Sequence, residues 1–109
     1  MNKKDGYVYL LCDLEKDRIY KIGVTRGDIE KRIKKLQTGN SGEIFLVNYH
    51  KTKIPFFVES KLHLFYNKTK IRNEWFSLTD EEVFEFKNKC LLAEEIYETL
   101  KDNPFFGKK

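Results

Sequence analysis

Residues 6–25 read GYVYLLCDLEKDRIYKIGVT: two short runs rich in β-branched and aromatic side chains, residues 6–12 and 18–25, separated by the polar stretch 13–17. That composition and spacing predict two antiparallel strands of a hairpin. Side chains alternate across a strand, so Val8, Leu10 and Cys12 share one face of the first strand while Tyr7, Tyr9 and Leu11 share the other. In the second strand Tyr20, Ile22 and Val24 form the apolar face, leaving Ile19, Lys21, Gly23 and Thr25 opposite. If Val8 and Leu10 share a core with Ile22 and Val24, then Tyr9 and Lys21 are expected side by side on the more polar face, next to Gly23.

Downstream, Asp28 is placed to cap a helix that carries Ile29, Ile33 and Leu36 at helical spacing and ends near Gly39. The rest of its surface shows Glu30, Lys31, Arg32, Lys34 and Lys35. Residues 44–50 (IFLVNYH) read as a third strand. Pro55 fits the first turn of a helix through about Tyr66 with the apolar stripe Val58, Leu62 and Phe65, and Glu59 and His63 lie one turn apart beside that stripe. The Lys-rich stretch 67–73 reads as a linker and residues 74–78 as a short extended piece. Thr79 with Glu82 forms a capping box, and Val83, Phe86, Cys90, Ala93, Tyr97 and Leu100 predict one last helix with a continuous stripe. The expected class is therefore α/β (α+β), a three-stranded, mainly antiparallel central sheet flanked by helices in the order β-β-α-β-α-(β)-α. Residues 103–109 read as a tail whose Phe105 and Phe106 dock on the core or on a partner.

A chain of 109 residues with 40% hydrophobic and 15% aromatic content suits one domain, residues 1–109 with a core of about 6–101, folding by ordinary burial. The two cysteines, Cys12 and Cys90, lie in apolar stretches without a CxxC pair, which argues against a zinc finger or disulfide framework and for reduced thiols in an intracellular protein. The sequence has no apolar run of signal-peptide or membrane-span character, so a cytoplasmic or nuclear location is expected, with no membrane partner. Charge is unevenly distributed: residues 79–102 hold eight acids against three lysines, net −5, leaving +9 on the remainder of a chain whose total is +4. A basic body suits a polyanion, because clustered Lys and Arg gain affinity by releasing phosphate counterions.

No Gly-rich phosphate loop follows the first strand, and no Ser/His/Asp or Cys/His arrangement is suggested by spacing. What stands out is an ordered series: Tyr9 in the first strand, Lys21-Ile22-Gly23 in the second, Arg32 on the next helix, then Glu59 and His63 on the helix after that. The segments GYVYLL, YKIGVT, EKRIKKL, ESKLHLFY and NEWFSL, in this order from Gly6 to Leu78, resemble the GIY-YIG nuclease superfamily, in its phage and viral T5orf172-type branch. The resemblance implies a small GIY-YIG-like domain that hydrolyses phosphodiester bonds in DNA with one divalent ion, Mg²⁺ or Mn²⁺, and no other small-molecule cofactor. It also implies roles. Tyr9 matches the phenol near the attacking water, Gly23 the glycine that admits the substrate backbone, Arg32 the guanidinium facing the scissile phosphate, and Glu59 the metal-holding acid.

The sequence departs from the wider family at two places: Lys21 stands where the second half of the motif has tyrosine, and Leu36 where a histidine is frequent. His63 is expected to supply the imidazole, and Lys21 with the metal to lower the Tyr9 pKa. Accessory candidates are Tyr7, Thr25, Asn73 and Glu74, and Lys31, Lys34 and Lys35 are candidates for nucleic-acid binding. A homodimer is an open option. Two other functions fit the same residues: a nucleic-acid-binding module that has lost cleavage, and a protein-interaction domain.

Overall fold

The hairpin forms with a register that places Leu10 opposite Ile22 and Tyr9 opposite Gly23. Its strands are β1 (Gly6–Asp13) and β2 (Ile19–Thr25). In this computed structural model, which describes residues 5–102, they are followed by α1 (Ile29–Thr38), β3 (Ile44–Thr52) and α2 (Pro55–Phe65). A 3-10 turn (Asn67–Thr69), β4 (Lys70–Arg72), β5 (Trp75–Ser77), α3 (Asp80–Phe84) and α4 (Phe86–Lys101) complete the order. Asp28 caps α1 as expected, its carboxylate accepting from the Glu30 amide at 2.9 Å. The predicted tail with Phe105 and Phe106 lies outside the described residues. Among those described, no helix is long and apolar enough to cross a membrane.

The sheet has five strands rather than three, in the order β3-β1-β2-β5-β4, and every pairing is antiparallel. The two extra strands come from the segment read as a linker and from the short extended piece. Lys70, Ile71 and Arg72 are all exposed, so no buried alternation marks β4; its evidence is the turn, where Asn73 takes a left-handed φ of 52° that Asn tolerates better than most residues. The last helix is also two. At Glu85 a ψ of −1° closes α3 before α4 begins, with Phe84 exposed while Phe86 is fully buried.

Both sheet faces are covered. Val8, Leu10, Ile22 and Phe76 pack beneath α2 and α4 with Val58, Leu62, Phe86, Cys90 and Ala93. The opposite face, expected to be polar, is a second, smaller core: Tyr9, Leu11 and Ile44 are buried there, with Ile33, Leu36, Leu46 and Trp75 against them. The apolar stripe of α1 requires this, because an amphipathic helix must bury its stripe and the remaining sheet face is where it lands. Asp13, at the end of β1, is buried and accepts from the Glu15 amide and from Asn40 Nδ2, which ties the hairpin turn to the loop after α1. These hydrogen bonds, Asn40's foremost, hold its carboxyl below the ordinary value.

Candidate active site

Four of the candidate side chains come together in two pairs because of how α1 and α2 are anchored. Ile33 and Leu36 hold α1 on the Tyr9 face, so Arg32 turns toward the sheet and its Nε donates to Tyr9 Oη at 3.3 Å. From the other side, β5 pairs with β2 only from Ile19 to Lys21, and beyond it the β2 edge is open to α2. There His63 Nε2 lies 3.0 Å from the Ile22 carbonyl oxygen and 3.7 Å from Glu59 Oε2. Both neighbours are acceptors, so that nitrogen carries the hydrogen. His63 therefore anchors Glu59 to the strand edge, with its ring also edge-on to Phe76, and the expected role as a catalytic imidazole loses its free nitrogen at Nε2.

Tyr9 is fully buried, and burial is the main reason its pKa is raised. The Arg32 hydrogen bond and charge oppose that shift, while the charges of Glu74 and Glu59 add to it. Arg32, not Lys21, is thus the protein cation acting on the phenol, and without a metal ion burial outweighs it. Tyr9 stays a neutral phenol engaged with Arg32, whose own pKa is raised by that bond. Gly23 is also explained differently. A Cβ there would lie 2.5 Å from Tyr9 Oη and 2.6 Å from Cζ, so the glycine makes room for the tyrosine ring.

Lys21 lies opposite Trp75 in the register, 5.3 Å over its ring, and its Nζ is 3.1 Å from Glu74 Oε1. Glu74 is held in place by its own backbone, whose carbonyl accepts from the Ile22 amide at 3.0 Å. The Glu59 carboxyl is pushed above its ordinary value, first by burial and then by the Glu74 charge, with His63 and Lys21 pulling the other way. Two carboxylates, Arg32 and Lys21 therefore share one electrostatic neighbourhood around the open edge of β2.

Other candidates fall outside it. Tyr7 packs edge-on against Tyr49, Thr25 Oγ1 accepts from the Gly27 amide in the turn before α1, and Asn73 serves the β4–β5 turn. Lys31, Lys34 and Lys35 are exposed on α1; of these, Lys35 lines a cleft of about 380 Å³ with Lys21, Asn40 and Trp75. Larger concavities beside Tyr7 and beside α4 lie away from the cluster. The Lys21–Glu74–Trp75 contacts were not visible in the sequence, because they depend on β5 pairing with β2 at a register that only the fold sets.

Could these residues hold the implied ion? Among the described residues no three or more His, Cys, Asp or Glu side chains are grouped as a cage. A hard cation of the Mg²⁺ type is commonly held by one or two carboxylates with water and substrate oxygens completing the shell. Glu59, partly buried and burdened by the Glu74 charge, is a hard oxygen donor whose environment a cation would relieve, so the residues fit that kind of site. Comparison with known families matches residues 6–91 to the T5orf172 domain. No curated protein and no solved structure matches the chain.

Proposed function

The chain belongs to the T5orf172 domain family, and from that membership, which suggests a nuclease-like or nucleic-acid-related domain, together with the Tyr9–Arg32 pair and Glu59 we propose that it is a metal-dependent DNA endonuclease. The observation that supports this reading is that Arg32, fixed by the buried Tyr9 phenol, and Glu59, whose carboxyl is pushed above its ordinary value, both feel the charge of Glu74 beside β2. When bound at Glu59, a divalent cation supplies positive charge against the nonbridging phosphate oxygens and the leaving oxygen.

The protein's own groups divide the remaining work. Arg32 is the permanent cation against the developing charge of the phosphorus centre, and its planar fork suits two phosphate oxygens. Tyr9, with no exposed surface, is a positioning residue that fixes the guanidinium through the bond to Nε. His63 positions the Glu59 carboxylate, and Lys21 offsets the repulsion between Glu59 and Glu74. Incubation with supercoiled plasmid and Mg²⁺ or Mn²⁺ tests the reading: nicking is expected, and Glu59→Ala is expected to abolish it. Salt-sensitive gel retardation with no nicking would instead identify a binding module on the same scaffold.

A further inference from the structure

The cleft at Lys21 does not stand alone. A second one of about 480 Å³ adjoins it, and the two share Trp75 and Asn40. Lys21 and Lys35 line the first; Lys16, Arg72 and the exposed Ile71 line the second. Neither lining includes an acid. By contrast the concavity at Tyr7 includes Asp5, Asp28 and Glu30, and the one beside α4 includes Glu94, Glu95 and Glu98. Lys16 and Lys21 are partly engaged with Asp13 and Glu74, whereas Lys35 and Arg72 form no ion pair among the described residues. The channel therefore combines cations free to meet phosphate with apolar surface from an indole and Ile71. Its wall on one side is set by the buried Asp13, which holds the Asn40 side chain at 3.1 Å.

We propose that this channel seats an unpaired nucleic-acid strand, with a base stacked on Trp75 and the backbone passing between Lys35 and Arg72 toward Lys21. The inference rests on the nuclease-like reading above and names its substrate class: single-stranded DNA, or the unpaired arm of a branched molecule. The physical ground is that positive grooves with an aromatic platform hold single strands by stacking, which every base can supply. A base inside a duplex has both faces stacked on its neighbours and has no free face for an indole without being extruded. Lys21 belongs both to the channel and to the Glu59–Glu74 neighbourhood, so a strand lying in the channel arrives at the candidate active site.

Trp75 is the chain's one tryptophan, so its fluorescence reports directly on the site. Titrating the full chain in EDTA with a short oligothymidylate is expected to quench that emission to saturation, while a duplex of equal length binds about tenfold more weakly. Oligouridylate in a parallel titration shows which polymer is preferred, and quenching by either supports the channel. Lys35→Glu and Arg72→Glu, both exposed positions, are expected to weaken binding at least severalfold with the melting temperature unchanged; Trp75→Leu, followed by anisotropy of a labelled strand, about tenfold or more. Equal affinity for duplex and single strand, or single-strand binding with no quenching and no response to the two charge reversals, overturns the proposal. Because EDTA removes catalysis from the measurement, the two readings fail separately. Glu59-dependent cleavage without quenching would sink the channel alone, and quenching with no Mg²⁺- or Mn²⁺-dependent cleavage of either the plasmid or a labelled single strand would sink the nuclease alone.

Discussion

A buried glycine opposite a buried tyrosine makes a sharp demand on both residues. Gly23→Ala forces a methyl group into the Tyr9 ring and is expected to cost about 1–3 kcal/mol, read as a lower urea midpoint at unchanged slope; wild-type stability would mean that the ring does not lie over Gly23. Glu59 makes the opposite demand. Its folded pKa is raised above the ordinary 4.5, so the stability it contributes is complete below about that pH and is lost as pH rises through the folded value. Glu59→Gln removes the loss and is expected to raise the metal-free melting temperature by a few degrees at neutral pH, with the gain vanishing under acid conditions. No gain at neutral pH would show that the carboxylate is not strained. Tyr9→Phe separates positioning from proton transfer: lower nicking with an unshifted pH profile fits a phenol that acts through Arg32, while loss of a titrating limb would give it a proton to carry.

Among the elements, those that carry their own signal in sequence were legible and those defined by a partner were not. The hairpin faces followed from alternation, and Val8, Leu10 and Ile22 do share the larger core. The Thr79–Glu82 capping box is present in both directions, the Glu82 amide donating to Thr79 Oγ1 at 3.2 Å and the Thr79 amide to Glu82 Oε1 at 2.9 Å. Thr79→Ala should therefore cost about 1 kcal/mol in urea unfolding, and a negligible change would argue that α3 is held by Val83 packing alone. By contrast β4 has three exposed residues and exists only as a neighbour of β5. The last helix breaks at Glu85, between Val83 and Phe86 of a stripe whose periodicity runs straight through. The chemistry divides the same way. Tyr9, Arg32 and Glu59 were legible as an ordered set, but burial, which decides that Tyr9 is neutral and that His63 is an anchor, is a property of the packed face and leaves no local mark. His50 is a further case. It pairs with Glu94 at 3.0 Å, across an approach of β3 and α4 that no local pattern around either residue marks.

At the scale of the whole molecule, a bound cation and the folded state are linked, because an ion that joins two elements binds the native chain and not the unfolded one. Glu59 comes from α2 and Glu74 from the turn before β5, so the two carboxylates feel each other's charge only when the sheet and α2 are assembled. At tenfold excess over Kd the linkage amounts to about 1.4 kcal/mol, which for a domain of this size corresponds to a rise in melting temperature of roughly 5–10 °C. Thermal unfolding with and without Mg²⁺ should show that rise for the native chain and none for Glu59→Gln. The pH dependence supplies an internal check. Since the folded Glu59 pKa is raised, protons compete for its carboxylate at higher pH than they would for a free glutamate, so the Mg²⁺ shift should fade as the solution is acidified while the chain is still folded. A shift that persists in Glu59→Gln, or that ignores acid, would locate the cation on other carboxylates, the acidic surface of α4 being the nearest alternative in charge, and would leave Arg32 without its proposed counterpart.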